Sequence, residues 1–553
     1  MAEDRQSFDY VVVGSGSAGS IVASRLSEDG RYSVCIVEAG GSDRSIWLKI
    51  PVGYARSYYD PAVNWMYRTE PEAELGGRRI YAPRGKVRGG SGAINAMIFV
   101  RGAASDFDDW RAAGSPGWGF DDVLPVFKRL ERHAGGASAH HGDRGPIGVT
   151  PMRGETHPVC DAFLDACAEL QLPATPDFNG ASIEGAGIYD VNTRRGLRSS
   201  SGAEYLRPAL GRANVEILDH ARAARVVLDS ERRATGVEIL RGGKRIVVEA
   251  RREVIVCAGA VDTPKLLQLS GIGDGAALAG LGIAVRHDLP AVGRNLQDHL
   301  CASLYYRSKV PTLNGDFSGL LGQARLALRY LLTRKGPFAM SVNQAGGFFR
   351  GRPSEPRENI QLYFNPLSYR IPDDPGAGLK AEPYPGFLLA FNACRPTSRG
   401  TVTIASPDIE AAPEIRPNYL TTQTDRDEAI QGSRLARRIM DMPALRAITA
   451  EEMPPSAGAS SDDELLAYFR ENCGSIYHLC GSAGMGPDAS TSVVDARLRV
   501  HGVDALRIVD ASIFPTITAG NINAPTMMVA EKGAAMILED ARADRRPRPV
   551  AAR

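Results

Sequence analysis

The chain has 553 residues, of which 43% are hydrophobic and 23% charged, with a formal net charge of +1. That length exceeds one simple core, so two domains are expected, and the composition is that of an ordinary globular protein. A charge so close to zero offers no electrostatic footprint for nucleic acid or an acidic surface.

From the amino end, a polar hexapeptide leads directly into an apolar strand, Tyr10-Val11-Val12-Val13, with no signal peptide expected ahead of it. The strand runs into Gly14-Ser15-Gly16-Ser17-Ala18-Gly19, then a helical stretch, then a second strand ending at Val37-Glu38. Each part of this unit has a job on a dinucleotide. Gly14 permits the sharp turn, Gly16 lets the backbone approach a pyrophosphate, and Gly19 lets the helix pack close to the strand. The helix starting near Ser17 aims free N–H groups and its positive dipole end at phosphates. Glu38, about twenty residues on, suits ribose hydroxyls and disfavours a 2′-phosphate, hence NADP. The motif alone does not separate FAD from NAD.

A second small-residue segment, Pro83 to Met97, suits backbone wrapped against a flat ligand. Residues 107–133 read as helix, with Trp110, Trp118 and Phe127 in the core. His140 and His141 follow in a Gly/His-rich loop, which is expected to be solvated rather than metal-binding. Short strands are expected from Val215 to Val256, followed by a strand-to-helix passage at Gly259–Gly273. Residues 318–334 form an amphipathic helix with Leu320, Leu321, Ala324, Leu328 and Leu331 on one side. Packing over the second domain is the expected role of that side, with peripheral contact to a membrane surface as the alternative. Strands are expected again between 384 and 420 and at Arg507–Ser512, and a last helix from Ala524 to Glu539. No segment is long and apolar enough to span a membrane. The eight cysteines form no C-x-x-C pair, which points to buried thiols in a reducing, cytoplasmic setting.

These segments, in this order, resemble the glucose–methanol–choline (GMC) family of FAD-dependent oxidoreductases, most closely its bacterial choline-dehydrogenase-like branch. The resemblance rests on the glycine fingerprint through Gly41, the Pro83–Met97 segment, Gly259–Gly273 and Gly293–Leu300. It continues through Arg395–Gly400, Tyr477-His478 and Asp510-Ala511-Ser512, and ends at Gly520–Thr526. It implies an α/β fold in which a Rossmann-like FAD-binding domain (1–155, 200–300 and 485–545) is interleaved with an α+β substrate domain (156–199 and 301–484). That second domain is built on an antiparallel sheet with helices, and residues 546–553 form a flexible tail.

The resemblance decides FAD over NAD and implies oxidation of a primary alcohol to an aldehyde, with hydride passing to flavin N5. His478 is then the proton acceptor, and Asn521 the amide that holds the substrate oxygen, with Asn523 as the alternative. FAD is expected over Gly14, Gly16, Ser17, Ala18 and Gly19, with Glu38 and Ala39 at the adenosine ribose and Ala223 at adenine. Gly89, Gly90, Asn95, Ala96 and Met97 are expected to line the flavin end. Asp510 and Ala511 belong to the ribityl and phosphates, and Asn521 and Ile522 to the pyrimidine side. His299 reads as structural. No histidine stands in the Gly89-Gly90 segment, so the FAD is expected to be non-covalent. Arg88 places a cation near the cofactor loop where the family usually has a hydrophobic residue. Leu479–Ala483 departs from the family's usual stretch after the catalytic histidine, which puts the pocket floor and the substrate in question. Tyr363, Phe364, Asn365 and Phe391 are wall or core.

Electrons are expected to leave for a quinone, another acceptor or dioxygen. The alternatives are a cyanohydrin-type lyase that keeps FAD without redox use, and, because Cys394 precedes Arg395-Pro396, a flavin photodecarboxylase. The identity of the alcohol and the oligomeric state are not readable from the sequence.

Overall fold

The computed structural model describes residues 6–370 and 379–543. The tail expected at 546–553 lies outside these residues.

Strand β1 (Gln6–Val13) has Tyr10 to Val13 buried, as a strand covered on both faces requires. It pairs in parallel with β2 (Val34–Val37), from Tyr10 opposite Val34 to Val13 opposite Val37. β3 (Val215–Leu218) adds in parallel to the outer side of β2. Two antiparallel strands, β4 (Ala221–Leu228) and β5 (Ala234–Arg241), lead into β6 (Lys244–Val256). The first half of β6 pairs with β5, and β6 also lies in parallel beside β1. Its last residues pair with β7 (Leu506–Ile508). One sheet is thus assembled from the beginning, the middle and the end of the chain. Helix α1 (Gly19–Leu26) follows β1, α2 (Gly259–Leu269) follows β6, and α3 (Asn523–Ala543) packs along α1.

A second sheet is antiparallel throughout its main path. Its order is Thr449–Met453, Leu300–Ser308, Gly386–Ala393, Ile360–Asn365, Ala345–Phe349, Gly185–Ile188. The long helix Gln423–Met440 covers it, and each sheet has its own hydrophobic cluster. At its edge Leu300 pairs with Ser475. That pairing sets the segment after residue 475 beside the segment before residue 300. The fold is therefore the expected α/β sheet plus an antiparallel second sheet.

Three local expectations need correction. Residues 107–133 are not one helix: Ala104–Ala112 and Phe120–Leu130 are separated by a turn containing Gly114, Pro116 and Gly117, and Glu131–His133 is a strand. The helix at 320–333 forms, but the leucine side named above faces outward, and Leu326 and Tyr330 are the buried positions. His141 is not solvated. It is buried, donates from Nε2 to Asp177 Oδ2 at 2.7 Å and from Nδ1 to Glu131 Oε1 at 3.0 Å, and stacks on His133 with ring centroids 4.0 Å apart.

Burial alone would lower the His141 imidazole. The hydrogen bonds to Asp177 and Glu131 more than reverse this, raising it from 6.5 to about 9. A value raised by folding means stability that is fully present below pH 6.5 and lost as the pH climbs through 9. Thermal melts of wild type and His141→Gln between about pH 6 and 10 check this. The wild-type advantage should shrink with rising pH, from a ceiling on the order of 3 kcal/mol set by the size of the shift.

Candidate active site

One long cavity of about 660 Å³ runs between the two sheets, from the turn after β1 to His478. Its construction begins at the glycine turn. Gly14 has φ +93°, and a Cβ there would lie 2.6 Å from the Cys257 carbonyl oxygen. A Cβ on Gly19 would lie 1.9 Å from the Gly14 carbonyl oxygen, so this glycine is needed for packing. Across the cavity Gly90 has φ +54°, and a Cβ there would lie 2.6 Å from the Gly16 Cα. Two backbones thus close on each other at the floor, leaving room above them that no side chain fills.

Glu38 locks this turn. Its Oε2 accepts from the Ser15 amide at 2.9 Å and the Ser15 hydroxyl at 2.6 Å, and Oε1 accepts from the Gly40 amide at 2.7 Å. Burial pushes this carboxyl up, and the three donors oppose that shift. Asp510 does the same job in the middle of the cavity, accepting from the Gly259 amide, the Thr263 hydroxyl and the Ser512 amide at 2.7–2.8 Å. It fixes the start of α2 against the turn after β7.

The far end gathers two histidines, an amide and a buried carboxyl group. Asp298 is buried and accepts from the His478 amide at 2.7 Å, the Ser475 hydroxyl at 2.5 Å and the Tyr419 hydroxyl at 2.6 Å. Tyr477 is held at φ +72°, a left-handed conformation that costs a bulky residue on the order of 1–3 kcal/mol. Its surroundings enforce it: Ser475 Oγ accepts from the Tyr477 amide at 2.8 Å, Arg84 donates to the Tyr477 carbonyl, and the ring packs edge-on against Tyr58 at 5.2 Å.

His478 projects from this turn between two partners. Its Nδ1 lies 2.9 Å from His299 Nδ1, and its Nε2 lies 3.2 Å from Asn521 Nδ2. The proton positions follow from one fixed acceptor. His299 Nε2 is 2.8 Å from the Cys394 carbonyl, which can only accept, so the His299 proton sits on Nε2. Burial lowers the His299 imidazole to about 4, so it is neutral and its Nδ1 is a bare acceptor. His478 Nδ1–H therefore donates to it. That leaves His478 Nε2 with a lone pair, toward which the Asn521 amide points its N–H. Asn521 Oδ1 in turn lies 3.4 Å from the Tyr363 hydroxyl. Burial pushes His478 well below the ordinary imidazole value, with His299 and Arg84 adding to the effect, so the resting ring is neutral.

The cavity wall includes Gly14, Gly16, Ser17, Ala18, Glu38, Ala39, Gly90, Asn95, Ala96, Met97, Ala223, Asp510, Ala511, His478, Asn521 and Ile522. Two expected wall residues are absent from it. Gly19 is turned into the strand–helix contact, and Gly89, at φ +89°, lies against Gly202 and Ala93. Asn523 is at the other end, accepting from Ser17 Oγ at 2.8 Å, so Asn521 is the amide beside His478. Arg88 is not beside the cavity: it pairs with Asp219. Within Leu479–Ala483 only Leu479 reaches the wall, while Gly481 and Ala483 donate to the backbone of Ala511 and Ser512. Tyr363 and Asn365 line the cavity, and Phe364 and Phe391 are core. Sequence reasoning missed Ser91, Tyr58, Tyr369 and Ser303 on the wall. It also missed the coupling of His299 to His478, whose only sequence signal was a histidine following an aspartate.

The arrangement fits FAD. A glycine-walled trough with helix amides at one end opens toward a neutral imidazole and an amide at the other, with polar groups at Glu38 and Asp510 between them.

Family models for GMC oxidoreductases match residues 8–301 (amino-terminal domain) and 396–530 (carboxy-terminal domain). The oxygen-dependent choline dehydrogenase of Rhizobium etli (strain CIAT 652) is 42% identical over 531 residues, covering 96% of this chain and 95% of that protein. The enzyme of the same name from Photobacterium profundum is 40% identical, covering 96% of this chain and 93% of that protein. Among solved structures, pyridoxine 4-oxidase from Mesorbium loti superposes with a TM-score of 0.86 at 31% identity, covering 96% of this chain and 99% of that one. A formate oxidase superposes with a TM-score of 0.90 at 25% identity, covering 98% and 100%.

The close approach at the cavity floor is directly testable. Gly90→Ala should destabilise the protein by roughly 1–3 kcal/mol in chemical denaturation, because the methyl meets backbone and the φ is unfavourable. Gly280→Ala, where a Cβ meets nothing within 4 Å, is the control and should be near neutral.

Proposed function

The chain belongs to the GMC oxidoreductase family, a family of FAD-dependent enzymes, and on that premise we propose that it oxidises a primary alcohol to an aldehyde with His478 as general base. The observation that carries this reading is the lone pair of His478 Nε2, presented to the cavity beside the Asn521 N–H. FAD, when bound, supplies the acceptor for the hydride that leaves the alcohol carbon.

This chain's own residues do the rest. The alcohol oxygen sits between His478 Nε2 and Asn521 Nδ2. As the C–H bond breaks, His478 Nε2 takes the hydroxyl proton, and the Asn521 amide stabilises the negative charge that develops on oxygen. The imidazolium that forms keeps its Nδ1–H on His299, so the ring does not rotate between turnovers. Tyr363 holds the Asn521 amide in the orientation that points N–H inward. Tyr58, Tyr369 and Tyr477 give the cavity aromatic walls that exclude water from the developing charge.

The relatives named for choline make choline the first alcohol to test, and aromatic faces are suited to its quaternary ammonium group. Electrons then pass to a quinone, another acceptor or dioxygen. The lack of a histidine in the Gly89–Met97 segment supports non-covalent FAD.

Anaerobic addition of the alcohol should bleach the flavin; release of aldehyde with an unbleached flavin would refute oxidation. His478→Ala should slow flavin reduction by about 10²–10⁴-fold with FAD still bound, as loss of a general base does. His299→Ala should have a smaller effect, on the order of tenfold, because the base survives but loses its fixed tautomer. Near-normal stopped-flow reduction in His478→Ala would sink the assignment. Precipitating the protein with acid should leave a yellow supernatant with the absorbance of free FAD, and a yellow pellet would instead show a covalent link.

A further inference from the structure

Eight of the nine large exposed hydrophobic residues among those described belong to three neighbouring segments. Helix Leu320–Thr333 presents Leu320, Leu321, Leu328, Leu331 and Leu332, with Leu321 88% and Leu332 76% exposed. The short helix Ile46–Lys49 presents Ile46 and Trp47, and the strand Leu197–Arg198 presents Leu197.

The three segments are fastened together from beneath. Ile50 and Val52 pack with Tyr330, Phe338 and Ala339 in one small cluster. The Tyr330 hydroxyl donates to the Gly196 carbonyl at 2.8 Å, and Gly196 sits against the Arg334 backbone. The helix that carries Trp47 also contacts the Leu197 strand. Their outward faces therefore form one patch, not three isolated residues.

The charge around the patch has one dominant sign. From residue 317 to 354 the sequence contains no Asp or Glu but holds Arg325, Arg329, Arg334 and Lys335 close to the leucines. From 44 to 59 it contains none but holds Arg44, Lys49 and Arg56. The rim carboxylates are fewer: Asp316 pairs with Arg325, Glu155 with Arg329 and Lys335, and Asp43 with Arg207. On a chain of net charge +1 this is a local cationic surplus around leucines and a tryptophan.

We propose that this patch is an interfacial docking surface for a bilayer containing anionic lipid, with the helix Leu320–Thr333 lying in the plane of the headgroups. Leucines enter the acyl boundary, Trp47 takes the interfacial level with Arg56 over its ring at 5.0 Å, and the arginines and lysines meet phosphate. Among the described residues no helix is long and apolar enough to cross the membrane, and the patch suits attachment at its surface. A second copy of the chain fits less well, because a two-fold contact would press the same cationic rim against itself.

Co-sedimentation of the flavin-loaded full chain with vesicles tests the proposal. Wild type should sediment with phosphatidylcholine vesicles containing phosphatidylglycerol, bind phosphatidylcholine alone more weakly, and release as salt rises. Leu321→Asp, Leu328→Asp and Leu331→Asp should each lower partitioning by about tenfold, from the lost burial of a leucine side chain. The flavin spectrum and the rate with a soluble acceptor should be unchanged in these variants, which separates lost docking from lost folding. Arg325→Gln with Arg329→Gln should reduce only the phosphatidylglycerol-dependent part. Failure of wild type to bind anionic vesicles at low salt, or equal binding by the leucine variants, overturns the proposal. So does a wild-type dimer in sedimentation velocity that Leu321→Asp converts to monomer, which would assign the patch to self-association.

Discussion

The His478 end of the cavity depends on one buried carboxyl group. Asp298 accepts from the backbone of His478 and from the hydroxyls of Ser475 and Tyr419, three donors from two stretches of chain. Each donor must point at the one side chain that accepts it, so the positions of all three are set together. The bond to the His478 amide fixes the turn at Tyr477 in its unfavourable left-handed form. That turn aims the imidazole. The next residue along from Asp298 is His299, so the group that fixes the His478 backbone stands beside the group that fixes its imidazole proton.

The two ends of the cavity use different physics. At the nucleotide end, the wall is backbone, because only glycines allow the strand turn at Gly14 and the segment at Gly90 to approach so closely. Charge there is offset by amides, and the acids Glu38 and Asp510 serve to hold loops. At the His478 end, the wall is side chain, and the important property is the low polarity that keeps both imidazoles neutral. A neutral pair needs no counter-ion, and among the described wall residues none lies within hydrogen-bond reach of the His478 ring as a carboxylate side chain.

The glycine unit and its flanking strands were legible in the sequence because turn chemistry and apolar periodicity are local signals that agree. Alternation also carried information: Tyr363 and Asn365 face one side of their strand and Phe364 the other, which separates wall from core among residues that the sequence left as either. What escaped was pairing across long separations. His299 meets His478 at a sequence distance of 179, and Arg88 finds Asp219 at 131, and no local pattern announces either. The helix Leu320–Thr333 shows another limit. Periodicity reveals that it has an apolar side, but the direction of that side is set by Tyr330 and Leu326, which dock inward in competition with the leucines. Resemblance supplied the role proposed for His478, since a lone histidine after a tyrosine has no chemistry of its own.

The sheet that receives the nucleotide has a history written into its strand order. β6 ends at Val256, and its partner β7 does not begin until Leu506, with every strand of the antiparallel sheet except Gly185–Ile188 synthesised in between. On the ribosome, β1, β2 and β6 emerge with one flank waiting, and α3, which covers α1, arrives later still. Closing that flank demands a loop of great length, so assembly of this region is slow and belongs to the last stage of biogenesis. A nascent chain halted before residue 506 would display a bare parallel edge, the kind of surface that chaperones must shield until translation finishes.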